Sequence, residues 1–288
     1  MKKNYFFAAM LLVFCLLGIG CRNENNPREI HRKALICVAN KNITQAVELF
    51  RKAAELGYAP AQTCLGMCYA DGEGVLKDHK KAAEWYSKAA GQGHPVAQFL
   101  LAKCYKYETG VQKDYNEAFK WSLRAAEQGH PDAQLLLALC YGEGTGVQKN
   151  LEKCVEWSRK AAEQNNANAQ LLLASSYANG SGVQKDYNEA VKWFRKAAEQ
   201  GLPNAQYSLG ISYDNGFGVQ KDHNEAVKWF RKAAEQGLPD AQYTLGACYA
   251  NGSGVQKDHN EAVKWFRKAA EQGYVKAEQA LKILKNNK

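Results

Sequence analysis

The sequence predicts an all-α fold, an α/α solenoid built from helix–loop–helix repeats of 36 residues. The stretch Leu202–Gly237 returns almost unchanged as Leu238–Gly273. A fixed period of this length is typical of stacked repeat proteins, in which each repeat is one pair of structural elements. All six tryptophans follow the period, at Trp85, Trp121, Trp157, Trp193, Trp229 and Trp265. A lysine follows it too, at Lys77, Lys113, Lys149, Lys185, Lys221 and Lys257.

The first half of each repeat is predicted to be a helix. Ala205, Leu209 and Tyr213 are spaced i, i+4, i+8, which places them on one helical face. Gly210 lies beside that face, and the other repeats carry only glycine or alanine there, as a close helix contact requires. Pro203 is placed in the first turn, where a helix accepts proline.

The second half of each repeat is predicted to be a loop and a second helix. The glycines within residues 214–219 supply positive φ at little cost, so this segment is a loop. Asp222 with Glu225 three residues later resembles a capping box, which marks a helix start. Trp229 lies on the apolar stripe of this second helix, and Gly237 ends it. Because one such hairpin cannot bury its own apolar stripe, neighbouring repeats must stack.

The motif AxxxLGxxYxxGxGVxKDxxxAxxWxxKAAxxG is nearly intact from Ala241 to Gly273. With these residues the chain resembles the Sel1-like repeat family, a relative of the tetratricopeptide repeats. The resemblance implies a right-handed α/α superhelix that binds other proteins along its surface. Three residues depart from the motif: Glu108 replaces the first loop glycine, Asn150 the capping aspartate and Asn165 the terminal glycine.

The amino terminus is predicted to be a secretory signal over residues 1–20, with Lys2 and Lys3 before an apolar core. Residues 17–21 (LGIGC) resemble a bacterial lipobox, which implies that Cys21 is lipidated and anchors the protein in a membrane. The alternative is an ordinary cleaved signal followed by a chance cysteine. Residues 21–27 are predicted to be a lipid-anchored linker. Arg22 after the lipid-bearing cysteine favours the bacterial outer membrane, with the protein facing the periplasm.

The predicted domains continue with an N-terminal capping helical hairpin over residues 28–60, six Sel1-like repeats over 61–276 and a C-terminal capping helix over 277–288. Terminal repeats are expected to be atypical because one face meets water. The formal charge is +9. Removing Lys2 and Lys3 leaves 36 basic against 29 acidic residues, or +7, which we interpret as a mixed, solvated surface. We expect a monomer that binds no nucleic acid.

Cysteine and histidine chemistry is not expected to define an active site. Of the nine cysteines, seven remain once Cys15 is removed and Cys21 is lipidated, and an odd number cannot pair fully. A bridge between Cys140 and Cys154 is left open, because both lie near the loop end of two antiparallel helices. Five of the six histidines occupy positions held in other repeats by tyrosine or leucine, so we expect no metal site and no cofactor.

A variable stripe on the first helix is the candidate partner-binding surface. Positions that vary between repeats are free to recognise a partner, and three of them, spaced i, i+4, i+7, share one helical face. By resemblance to related solenoids this face lines the concave surface. The candidate binding residues are Phe99, Lys103, Leu135, Leu139, Tyr207, Ile211 and Tyr243. Phe99, Leu135, Tyr207 and Tyr243 are expected to be exposed anchors.

The sequence therefore predicts a lipid-anchored envelope scaffold that binds other proteins or peptides through its concave surface without catalysis. Cysteine-rich members of the family it resembles suggest an alternative, a penicillin-binding or weakly β-lactamase-like enzyme, although no serine–lysine motif supports it here. A second alternative is a host-directed adhesin or effector.

Overall fold

The computed structural model describes residues 25–286, so the predicted signal peptide and Cys21 lie outside the described residues. Within that range the chain forms fifteen helices and no strand, which confirms the all-α prediction. None of these helices combines the length and the apolar content that a membrane span requires.

The helices alternate between first and second helices of successive pairs. They are α1 (Pro27–Ala39), α2 (Ile43–Glu55), α3 (Ala59–Asp71), α4 (His79–Gly91), α5 (Pro95–Tyr107), α6 (Tyr115–Glu127), α7 (Pro131–Glu143), α8 (Leu151–Glu163), α9 (Ala167–Asn179), α10 (Tyr187–Glu199), α11 (Pro203–Asn215), α12 (His223–Glu235), α13 (Pro239–Asn251), α14 (His259–Ala270) and α15 (Val275–Asn286).

The chain divides into two compact units. In the first, which comprises residues 25–133 with 145–147, α1 packs on α2, α3 on α4 and α5 on α6, while α2 also packs on α3 and α4 on α5. In the second, which comprises residues 134–144 with 148–286, the same order holds from α8 to α15. This succession of nearest-neighbour contacts is the α/α solenoid that the period predicts.

The helix ends form where the residue types predict them. Asp222 caps α12 by accepting a hydrogen bond from the Glu225 N–H at 3.0 Å. The reciprocal half of the predicted capping box is wrong. The Asp222 N–H instead donates to the Tyr213 carbonyl at 2.9 Å, and the Glu225 carboxylate pairs with Lys228 at 2.8 Å. Two of the predicted departures, Glu108 and Asn165, take the left-handed conformation of the glycines that they replace.

The core of each repeat depends on close contact between its two helices. A fully buried leucine stands at one position of the six first helices from α3 to α13: Leu65, Leu101, Leu137, Leu173, Leu209 and Leu245. Beside it, Gly66, Gly210 and Gly246 face the rings of Tyr86, Phe230 and Phe266 respectively. Where the small residue is Ala102 or Ala138, the residue twenty positions later is a fully buried serine, Ser122 or Ser158. Two repeats thus exchange volume between these two positions, whereas Ala174 is followed twenty positions later by the buried ring of Phe194.

Buried glutamines join each repeat to the previous one. Gln206 of α11 donates to the carbonyl of Ala198, in the preceding repeat, at 3.2 Å. The side-chain oxygen Oε1 of Gln206 accepts from the side-chain amide of Gln236, at the end of α12, at 2.9 Å. The same pairing recurs as Gln62–Gln92, Gln98–Gln128, Gln134–Gln164, Gln170–Gln200 and Gln242–Gln272.

Helix α15 differs from the first helices before it. Ala277 is fully buried against the last repeat, as the equivalent alanines are. Lys282, however, is an exposed lysine at the position where six first helices carry glycine or alanine. A second helix could not approach this face as α12 approaches Gly210.

Candidate functional site

Clefts open where the first helices of successive repeats meet beside the glycine loops. In the first unit, a cleft of about 720 Å³ lies between α3 and α5 and includes Met67 and Lys103. In the second unit, a cleft of about 270 Å³ includes Leu139 of α7 and Ser175 of α9. A third, of about 290 Å³ and also in the second unit, includes Tyr207 and Ile211 of α11. Four of the predicted stripe residues therefore line clefts: Lys103, Leu139, Tyr207 and Ile211.

The expectation that the larger stripe residues are exposed is wrong. Phe99, Leu135, Tyr207 and Tyr243 are all half-buried, as are Leu139 and Ile211, and only Lys103 is exposed. Leu135 packs against the core of the second unit, and Tyr207 and Ile211 do the same one pair of repeats later.

The burial arises from side chains that the next repeat supplies. The residue 31 positions after the first stripe residue of a helix, just before the next first helix, packs on that stripe residue. Thr63 Oγ1 and His94 Nδ1 are hydrogen-bonded at 3.0 Å, and the rings of Phe99 and His130 stack at 5.0 Å. Tyr243 packs on Tyr274 at 5.3 Å in the same way. The first stripe position, which includes Phe99 and Tyr243, is therefore partly structural. The middle position, that of Leu139 and Ile211, faces the clefts.

Tyr207 makes two contacts of this structural kind. Its ring centroid lies 5.7 Å from that of Phe230, and its hydroxyl lies 3.3 Å from Thr244 Oγ1 in the following first helix. One face of the side chain is thus committed to the fold, and the rest borders the cleft.

The clefts differ in charge. The cleft of the first unit is bordered by both signs, with Asp71 and Glu73 opposite Lys77 and Lys103. The cleft beside Tyr207 has one charged side chain on its border, Lys185, among serine, asparagine and aromatic residues.

Two sets of lysines differ in their ion pairing. On the second helices, lysines are paired with glutamates one helical turn away. Lys120, Lys192, Lys228 and Lys264 each pair with a glutamate three residues earlier. The lysines that follow the loops are all exposed, and in the described part of the chain none of the four in the second unit lies within an ion-pair distance of a carboxylate. These are Lys149, Lys185, Lys221 and Lys257. The loops of the second unit therefore carry lysines whose positive charge is not neutralised by a neighbouring carboxylate.

Six of the seven cysteines in the described residues are buried, and Cys37 is partly exposed. Burial raises the pKa of the Cys104 and Cys248 thiols to about 11, and it raises the pKa of Cys154 as well. A thiol with a raised pKa carries little thiolate at neutral pH and is a poor nucleophile. Cys140 and Cys154 are both buried thiols in this structure, and a bridge between them stays a prediction.

Two of the histidines, His31 and His130, pack against aromatic rings, whereas His223 is bonded to Asp214. His31 stands between Phe50 and Tyr58, with centroids 5.4 and 5.3 Å away. Burial lowers its pKa to about 4, with a smaller contribution from His94, and burial also lowers the pKa values of His94 and His130. Among residues 25–286, no three His, Cys, Asp or Glu side chains are grouped so as to hold a metal ion.

Sequence reasoning missed Phe217. It occupies a loop position that the other repeats fill with Glu73, Thr109, Thr145, Ser181 and Ser253. It is 41% exposed and borders the same cleft as Tyr207 and Ile211. The signal was present in the sequence, because one aromatic residue among five polar ones departs from its column.

Comparison with known proteins agrees with this architecture. The family model for the Sel1 repeat matches the chain over residues 38–58, 59–94, 95–130, 131–166, 167–202, 203–238 and 239–274. The first match is partial and covers most of α2, whereas the other six each span a whole repeat. No curated protein matches the chain.

Two solved structures are similar over most of the chain. A protective antigen of uropathogenic Escherichia coli strains, displaying an SLR fold, is 36% identical with a TM-score of 0.83. The match covers 90% of this chain and 56% of that one, so the chain spans little more than half the length of this relative. A Sel1 repeat protein from Oxalobacter formigenes is 32% identical with a TM-score of 0.76, and 83% of this chain and 96% of that chain are covered. The chain belongs to the Sel1 repeat family, whose repeats generally form scaffolds for protein interaction.

Proposed function

We propose that the protein is a lipid-anchored scaffold of the bacterial cell envelope that binds a protein or peptide segment along its first helices, without catalysis. The observation that carries the proposal is that Leu139, Tyr207 and Ile211, chosen because they vary between repeats, line clefts between successive first helices. Constant positions build the core, so a surface that varies while the core is fixed is suited to recognition.

The dimensions of the two clefts in the second unit also favour a peptide partner. Both, at about 270 and 290 Å³, are slightly below the roughly 300–1,000 Å³ typical of small-molecule pockets. Clefts of this size take one side chain each. Neighbouring repeats then offer successive side-chain pockets to an extended segment, in the way that groove-binding domains read peptides.

Photo-crosslinking in intact cells tests the binding surface. A photoreactive residue replacing Ile211 lies at a cleft, whereas one replacing Lys192 lies on the exposed face of α10. We expect a discrete protein adduct from position 211 and none from position 192. Adducts from position 192 alone would show that recognition uses the second helices and would remove the proposal.

The membrane anchor and the location are tested separately. Mass spectrometry of the mature amino terminus should show an acylated Cys21, and Cys21→Ser should move the protein into the soluble fraction. A Cys21→Ser variant that stays with the outer membrane would refute the lipid anchor without affecting the binding surface.

A further inference from the structure

Phe217 is an aromatic residue that the core does not use. It lies in the glycine loop between α11 and α12, at a position where Ser181 and Ser253 serve the neighbouring repeats. The loop itself does not need the ring, because the flanking Gly216 and Gly218 supply the two positive φ angles. An exposed phenyl ring in place of a hydroxyl places apolar surface in contact with water, and clefts lined by aromatic side chains with a few polar groups are the usual form of binding sites.

The ring is held in a defined position. Phe217 stacks on Tyr187, at the start of α10 in the preceding repeat, with centroids 4.8 Å apart and ring planes 10° apart. Gly218 next to it lies so close to the Tyr187 carbonyl that a Cβ would not fit, which fixes the loop against α10. The stacked pair forms one wall of the cleft that Tyr207 and Ile211 also border. The cleft is therefore a preformed pocket with aromatic walls.

Positive charge flanks this pocket. The Lys185 ammonium lies 4.6 Å from the centroid of the Tyr187 ring, and the Lys221 stem packs on Gly216, directly before Phe217. Three carboxylates on bordering elements are already engaged. Asp186 and Asp222 accept from backbone N–H groups at the starts of α10 and α12, and Asp214 is bonded to His223 Nδ1 at 2.6 Å. A ligand at this pocket meets aromatic surface beside Lys185, with Lys221 in the adjoining loop, and in the described part of the chain neither lysine has an ion-pair partner.

We propose that this pocket binds an acidic peptide segment that inserts an aromatic or large aliphatic side chain against Phe217 and Tyr187 and directs neighbouring carboxylates at Lys185 and Lys221. The assignment rests on the proposed function, since it specifies the partner of the same first-helix surface. Apolar burial against the stacked rings supplies affinity. The carboxylates supply selectivity and a faster, salt-dependent association.

Four fluorescein-labelled peptides of equal length test this specificity by fluorescence anisotropy with the mature chain. One is rich in glutamate with a central phenylalanine, and the second replaces that phenylalanine by serine. The third is rich in lysine with the phenylalanine, and the fourth is neutral with it. We expect the first peptide to bind at least about tenfold more tightly than each of the others, a difference of about 1.4 kcal/mol. Its affinity should fall as salt is raised.

Matched variants locate the site. Phe217→Ser installs the residue that two other repeats carry there, so the fold is expected to persist, and the glutamate–phenylalanine peptide should bind about tenfold more weakly. Lys185→Glu should weaken this peptide and strengthen the lysine–phenylalanine peptide. Lys192→Glu, on the face of α10 where lysine pairs with Glu189, is the control and should leave both affinities unchanged.

Three results would overturn the assignment: preference for the lysine-rich peptide, unchanged binding by Phe217→Ser, or an equal effect of the Lys192→Glu control. If no probe binds while position 211 still yields a discrete crosslinked adduct in cells, the acidic–aromatic specificity is wrong and the scaffold function stands. If the crosslink also fails, both are wrong.

Discussion

Gly210 of α11 lies directly against the ring of Phe230 of α12: a Cβ at Gly210 would stand 2.5 Å from Cε1 of that ring. The ring is fully buried, so it has no room to retreat. We expect Gly210→Ala to lower the free energy of unfolding by about 1–3 kcal/mol, as overpacked cores do. Urea denaturation measures this change.

The control for that substitution is Gly91, at the end of α4. A Cβ there would meet no atom within 4 Å, and the residue is helical without positive φ. Gly91→Ala should be neutral or should stabilise by up to about 1 kcal/mol, because alanine restricts the unfolded chain. Equal losses for both variants would mean that helix contact is not what selects glycine at position 210.

Because the glutamine hydrogen bonds join neighbouring repeats, we expect loss of one glutamine to destabilise both repeats that it joins. Gln170 is 1% exposed, donates to the Ala162 carbonyl at 3.1 Å and accepts from Gln200 at 2.8 Å. Gln170→Leu leaves the Ala162 carbonyl without this donor, which we expect to cost about 1–3 kcal/mol. Gln200→Ala should cost less, because the residue is exposed and water can replace its amide. Hydrogen exchange should rise in α8 to α10 and stay unchanged in α14, since the contacts are between neighbours.

Glu108 is a site where the chain should gain stability. It is the C-terminal cap of α5 with φ 57°, a conformation that costs a residue other than glycine about 1–2 kcal/mol. Glu108→Gly, the residue of most other repeats, should therefore raise the midpoint of thermal unfolding. Asn165→Gly is the comparison: its φ is 67°, but asparagine tolerates this region and its side chain accepts from Gln170 and Gln200. No gain is expected there, and a larger gain at Asn165 than at Glu108 would contradict the argument.

The stripe tyrosines combine binding and folding. Tyr207→Ala with Tyr243→Ala should weaken partner binding, as loss of aromatic anchors does. Because both rings are half-buried, each truncation should also cost stability, by less than the roughly 3–5 kcal/mol of a buried aromatic residue. Calorimetry beside a binding assay separates the two effects. Unchanged binding by a variant that remains folded would place recognition elsewhere.

His31 should make the first unit sensitive to acid. Its folded-state pKa, about 4, lies below the ordinary value near 6.5, so the unfolded chain binds more protons between these two pH values. The stability that depends on neutral His31 is fully present above about pH 6.5. It is lost as pH falls towards 4, and the free energy of unfolding falls by up to about 3 kcal/mol. His94 and His130, whose pKa values burial also lowers, act in the same direction.

The test of this pH dependence is His31→Phe. The His31 Nδ1 is buried without a hydrogen-bond partner, so a phenyl ring between Phe50 and Tyr58 loses no bond at that atom. The slope of unfolding free energy against pH between 4 and 6.5 should become shallower. An unchanged slope would assign the acid sensitivity to other groups.

The period of the sequence predicts the fold well because each repeat carries its own helix start, loop and stop signals. Asp222 and Gly216, for example, do in space what their residue types predict. The burial of Tyr207 could not be predicted from one repeat, because Phe230 and Thr244, which cover it, belong to the partner helix and to the next repeat. The cleft around Phe217 depends likewise on Tyr187, thirty residues earlier. Within-repeat features are thus readable from sequence, and surface properties, which arise between repeats, are not.

Lys282 has a consequence for how this array can lengthen during evolution. Because α15 carries a lysine where a following second helix needs glycine or alanine, the second helix of a repeat that was extended after α15 could not pack closely against α15. A duplication placed before α15 meets no such obstacle, since the six first helices from α3 to α13 carry glycine or alanine at that position. The two most similar copies, Leu202–Gly237 and Leu238–Gly273, stand immediately before α15. New recognition pockets are therefore expected to arise by copying internal repeats, with Phe217-like changes distinguishing one copy from the next.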